Sequence, residues 1–82
     1  MNEKPTPEAL QAAIAAGLNC QRLDVQGDGT YFKAVIVSPE FEGKRLIARH
    51  QLVYKALGDR MRTEVHAFSM KTLTPEEFEA QN

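Results

Sequence analysis

A chain of 82 residues has material for one compact domain and none for a second core, so a single domain over 1–82 is expected, with loose ends at 1–5 and 80–82. Apolar residues make up 43% and charged residues 26%, which excludes a disordered tail, and ten basic against eleven acidic side chains leave a net charge of −1, which excludes a whole-molecule pull onto a polyanion. One cysteine, Cys20, rules out an internal disulfide, the longest apolar run (Ala34 to Val37) is far short of the roughly 20 residues that cross a bilayer, and no signal-peptide pattern opens the chain, so a reducing, cytoplasmic setting is expected.

Thr6-Pro7-Glu8 reads as a helix start: a hydroxyl cap, proline at the first helical position and a carboxylate facing the positive end of the dipole. Leu10, Ile14 and Leu18 recur at helical spacing with Ala13, giving one narrow apolar stripe to about Ala16, and Gly17 suits the end. From Gln21 to Gln26 the pattern changes to alternation, with Leu23 and Val25 on one side of a half-buried strand. Gly27-Asp28-Gly29 tolerates the positive φ of a tight turn, and Tyr31 to Val37 is β-branched and aromatic, which together predict a hairpin. Phe32, Ala34 and Ile36 share one face of that second strand.

Pro39 ends the strand, and Phe41-Glu42-Gly43-Lys44 reads as a loop into a second helix over Arg45 to Leu57. There Leu46, Val53 and Leu57 form the expected buried line, while Arg45, Arg49, Gln51 and Lys55 suit solvent. Gly58 closes it, Asp59 to Arg62 could add a short turn, and Val65 to Leu73 reads as a third strand with His66, Phe68 and Met70 on one parity. Thr74-Pro75-Glu76-Glu77 is a capping box opening a terminal helix that holds Phe78. The order helix, strand, strand, helix with an extra turn, strand, helix predicts an α+β two-layer sandwich: a three-stranded mixed sheet with helices mainly on one face. The expected core is Leu10, Ile14, Leu23, Val25, Phe32, Ala34, Ile36, Leu46, Val53, Leu57 and Phe68.

Catalysis is not supported: no nucleophile has a base at useful spacing, and no glycine motif would cradle a phosphate, so no catalytic residue is expected. Lys44, Arg45, Arg49 and Lys55, with Arg60 and Arg62, are the candidates for gripping nucleic acid; Arg45 and Arg49 stand one turn apart, as a phosphate clamp would need. The same residues also fit the solvated face of a helix. The Gly-x-x-Gly loop by which KH domains hold RNA is missing, only Gly43 standing near the helix start. From the residues alone a lone His66 reads as a strand histidine that packs beside Phe68 or faces water, and His50 as a structural or surface one. Cys20 reads as a small buried residue at a helix–strand junction.

The stretches Phe41-Glu42-Gly43-Lys44, Arg49-His50-Gln51-Leu52-Val53-Tyr54 and Val65-His66-Ala67-Phe68-Ser69-Met70-Lys71-Thr72-Leu73-Thr74-Pro75-Glu76-Glu77-Phe78 resemble the signature of BolA-like proteins, over nearly the whole chain. The turn, the short length and the near-neutral charge resemble the small IbaG-type branch. The resemblance implies a fold similar to the class II KH domain, partnership with a monothiol glutaredoxin, and a two-iron, two-sulfur cluster shared with that partner and not held stably by this chain alone. It makes His66 the metal ligand. The family's second donor, a histidine or cysteine before the residue matching Phe32, corresponds here to Tyr31, preceded by Thr30, and neither is a natural ligand for such a cluster. The alternative the resemblance offers is a DNA-binding transcriptional regulator. No membrane association is expected, and the chain alone is expected to be a monomer.

Overall fold

The computed structural model describes residues 6–27, 31–58 and 67–81. Helix α1 spans Pro7–Gly17, strand β1 Arg22–Gly27, β2 Tyr31–Val37, a 3-10 turn Pro39–Phe41, helix α2 Leu46–Leu57, β3 Ala67–Leu73 and helix α3 Pro75–Ala80. The order and fold class are those expected from the sequence; the turn expected at Asp59–Arg62, together with Val65 and His66, lies outside the described residues.

The N-terminal caps work as the sequence implies, whereas Gly17, suited by sequence to a left-handed cap, ends α1 without positive φ and Leu18 follows in extended backbone. Thr6 Oγ1 accepts from Ala9 N at 3.1 Å, and at α3 the reciprocal box closes, Thr74 Oγ1 accepting from Glu77 N at 3.1 Å while Glu77 Oε1 accepts from Thr74 N at 2.9 Å. Gly58 ends α2 with φ of 63°, a left-handed geometry that glycine adopts without penalty.

The sheet order is β1-β2-β3. β1 and β2 pair antiparallel, Arg22 opposite Val37 through Gly27 opposite Phe32, while β3 joins β2 in parallel, Tyr31 opposite Ala67 through Val37 opposite Leu73. On one face Val25, Phe32, Ala34 and Ile36 are buried against Leu10 and Ile14 of α1 and Val53 and Leu57 of α2. The other face leaves Asp24, Gln26, Lys33, Ser69 and Lys71 exposed around a half-buried Val35 and a shallow depression of about 360 Å³. At one end of that face Val37 and Leu73 are buried, and the Arg22 guanidinium lies 5.3 Å from the centre of the Phe78 ring, so α3 covers this end.

Three expectations need correction. Leu46 is 61% exposed, so the line through Leu46, Val53 and Leu57 breaks at its first member: Phe41, carried in by the 3-10 turn and wholly buried, fills the core at this end, and the first turn of α2 projects past it. Leu23 and Phe68 are only partly buried against the core. Gly27 is a strand residue without positive φ, and its role is steric: a Cβ there would fall 2.5 Å from the Tyr31 carbonyl oxygen and into the Phe32 ring. The buried Ser38 was not foreseen. Its Oγ donates to Asn19 O at 2.6 Å and accepts from Glu40 N at 3.1 Å, tying the α1–β1 junction to the 3-10 turn.

Candidate functional site

The parallel β2–β3 pairing places the starts of two strands side by side, Tyr31 opposite Ala67. Tyr31 is 52% exposed, and Ala67 is the residue bonded to His66, which itself lies outside the described residues. Beneath this end Phe32 is fully buried and its partner across the ladder, Phe68, is partly buried, so aromatic packing fixes the strand starts from the helix side. The tight approach of Gly27 to Phe32 holds the end of β1 against the same point.

Cys20 stands at the opposite end of the sheet, since the next residue, Gln21, donates its N–H to Val37 O at 2.7 Å. The length of β2, seven residues at about 3.3 Å each, therefore separates the thiol from Tyr31. Burial, and then the neighbouring Glu40 carboxylate, push the Cys20 thiol up from its ordinary value and keep it protonated, whereas a metal ligand needs thiolate. Among the described residues no three His, Cys, Asp or Glu side chains gather as a metal site. At the starts of β2 and β3 the described residue with a polar tip is Tyr31, which offers only a hydroxyl.

Among the described residues the basic candidates do not form one clamp. Lys44 and Arg45 are exposed at the start of α2 and Lys55 is exposed in its last turn, where it complements the helix dipole; Arg60 and Arg62 lie outside the described residues. Arg49, expected beside Arg45 as a clamp, is taken up internally. Its Nη1 donates to Glu77 Oε1 at 2.7 Å and to Thr72 O at 3.1 Å, its Nε donates to Lys44 O at 2.9 Å, and Nη2 reaches Glu77 Oε2 at 3.2 Å. The guanidinium also lies 5.9 Å from the Phe41 ring centre. The hydrogen bonds from Arg49 foremost, and those from Thr74, hold the Glu77 carboxyl down at about 2. This latch of α3 onto α2 escaped the sequence reading, because an arginine on a helix and a capping-box glutamate each already had an adequate local role. His50 is half-buried, edge-to-face with Tyr54 at 6.4 Å between ring centres.

The model of the BolA-like protein family matches residues 7–77. This chain belongs to the BolA-like family. BolA-like protein 2 of Mus musculus is 46% identical over 77 residues, covering 88% of each chain. A Haemophilus influenzae protein named DNA-binding transcriptional regulator BolA is 40% identical over 57 residues, which are 70% of this BolA-like chain but 55% of the regulator's length. Among solved structures, a Bol-like protein from Babesia bovis superposes with a TM-score of 0.88 at 37% identity, covering 100% of this chain and 99% of that one. A BolA homologue from Coxiella burnetii gives 0.81 at 43% identity, with 92% and 97% covered. The BolA-like family is generally non-enzymatic. No helix among the described residues is long and apolar enough to cross a membrane.

Proposed function

We propose that this chain is a cytoplasmic binding adaptor of the small IbaG-type branch, which docks on a monothiol glutaredoxin and contributes His66 to a two-iron, two-sulfur cluster that the partner otherwise holds. The observation that supports the reading is the alignment of strand starts: Tyr31, which matches one family donor, stands opposite Ala67, the residue bonded to His66, while Cys20 stands at the other end of the sheet. One imidazole cannot retain a cluster, so the reading requires donors from a partner. An imidazole in place of a thiolate raises a cluster's reduction potential, the property that transfer or sensing uses. Within the chain, Phe32, Phe68 and Gly27 would hold the ligand-bearing end rigid.

The test is a mixing experiment with a cluster-loaded monothiol glutaredoxin. The heterodimer is expected to show a visible spectrum distinct from that of the glutaredoxin homodimer, and His66→Ala to abolish the difference without unfolding the chain. Tyr31→His is expected to strengthen cluster retention, and Cys20→Ser to leave the spectrum unchanged. A spectrum indifferent to His66→Ala refutes the ligand assignment. The bacterial regulators' name favours a second reading, DNA binding through Lys44, Arg45 and Lys55. With Arg49 engaged by Glu77, that surface has few phosphate contacts, and any duplex binding is expected to show a shallow salt dependence.

A further inference from the structure

The sheet face turned away from α1 and α2 carries two cross-strand rows fixed by the register. Gln26, Lys33 and Ser69 stand in one row and Asp24, Val35 and Lys71 in the next, and all six line the shallow depression of about 360 Å³. Lys33 and Lys71 are therefore diagonal neighbours on adjacent strands, with backbones about 8 Å apart. Two flexible four-carbon stems close that gap onto one anion. Both lysines are exposed, and neither makes an ion pair or hydrogen bond with another described residue. The carboxylate among the six, Asp24, is already held by Arg22 at 3.4 Å. Two positive charges thus stand uncompensated among the described residues of this face, and the Ser69 hydroxyl beside them adds a donor.

A second depression, of about 270 Å³, adjoins the first and shares Gln26 and Lys33 with it, its other lining residues being Gly27 and Tyr31. Its wall is chemically different. Tyr31 offers an aromatic ring on the same face as Lys33 and Val35, and Gln26 offers an amide that both donates and accepts. Because β1 ends at Gly27, opposite Phe32, the row of Tyr31 and Ala67 has no described β1 member, which leaves room beside the ring. The rows of Tyr31 and Lys71 lie four residues apart along β2, about 13 Å. A flat group beside the ring and an anion between the lysines therefore belong to one ligand of modest length.

From these observations we infer that the open sheet face binds a free nucleoside monophosphate, its phosphate between Lys33, Lys71 and Ser69 and its base beside Tyr31 and the Gln26 amide. Charge decides the anion: a phosphate monoester carries nearly two negative charges at neutral pH, matching two unpaired ammonium groups, whereas a carboxylate supplies one. The ring and the amide decide the body, because a flat base stacks on an aromatic side chain and its polar edge pairs with an amide. Neither His66 nor the basic residues of α2 take part. The site is thus separate from cluster binding and from any duplex grip.

The probe is AMP, titrated into the full chain without glutaredoxin and followed by amide NMR. Millimolar AMP should move the amides of Lys33, Ser69 and Lys71 and leave those of Lys55 and Ala56, on α2, unmoved. Lys33→Gln and Lys71→Gln, both at exposed positions, should each weaken binding about tenfold, the scale of one hydrogen bond to a charged group, and Lys55→Gln should leave it unchanged. Adenosine and inorganic phosphate, each lacking part of the ligand, should bind more weakly than AMP by about tenfold or more. Tyr31→Ala should weaken AMP and not inorganic phosphate. Absence of shifts at millimolar AMP, inorganic phosphate binding as tightly as AMP, or indifference to Lys71→Gln would each overturn the proposal. So would a single-stranded oligonucleotide that moves these amides where AMP does not.

Discussion

Two leucines of α2 look equivalent in the sequence and differ in the folded chain. Leu57 is 3% exposed and belongs to the core, whereas Leu46 is 61% exposed. Cutting Leu57 back to alanine removes three buried carbons, about 2.4 kcal/mol of transfer free energy at roughly 0.8 kcal/mol per methylene, and the cavity left behind raises the expected cost to about 3–4 kcal/mol. In a domain of this size each kcal/mol moves Tm by roughly 4–8 °C, so Leu57→Ala should melt on the order of 15 °C lower. Leu46→Ala should change stability by no more than about 0.5 kcal/mol. Urea unfolding followed by far-UV circular dichroism, with thermal melts of the three proteins, measures both. Equal costs at the two positions would refute the packing of α2 described above, and with it the filling of the core by Phe41.

Glu77, held at about 2 against its ordinary value of 4.5, is lowered by folding, so its contribution is fully present above 4.5 and is lost as pH falls toward 2. The Phe78 amide should accordingly lose exchange protection over that window before the core does, and in Arg49→Gln the protection should be weak already at neutral pH; a Phe78 amide insensitive to both would refute the latch. Gly17→Ala should destabilise the chain by about 1 kcal/mol or more even though alanine favours helix over glycine by about that amount, because the new methyl meets Ala56 Cα at 3.0 Å. Ala56→Gly in the same chain should recover part of the loss in urea unfolding, and a stabilised Gly17→Ala would mean that the helices separate at little cost.

Elements whose signals are local were legible in advance. Thr6 with Pro7, and Thr74 with Glu77, announce helix starts through bonds completed within one turn, and the alternation of Phe32, Ala34 and Ile36 gives a strand and its core face together. Leu46 failed because periodicity gives the direction of a side chain and not whether anything lies there to meet it. Phe41 failed in the opposite sense: as part of a loop it had no period to announce burial, and only the 3-10 turn swings it into the core. The Arg49–Glu77 pair joins residues of two helices that meet only after β3 is in place, a relation that spacing along the chain does not contain. For the site, the motif around His66 was legible as a resemblance and the separation of Cys20 from Tyr31 by a whole strand was legible in the chain order, while the alignment of Tyr31 with Ala67 needed the parallel register.

Parallel pairing has a further consequence for how such a protein can diversify. Because β2 and β3 run in the same direction, the residues that enter them are delivered to one rim whatever the length of the segments leading in, and the ladder from Tyr31–Ala67 to Val37–Leu73 sets their separation. Loop insertions ahead of either strand would leave that spacing intact, and single replacements at the entering positions would change the chemistry displayed without disturbing the packed face beneath. The scaffold thereby separates the packed face from the chemistry displayed at its rim, so the residue that enters β2 could be replaced while Phe32 and its neighbours keep their packing.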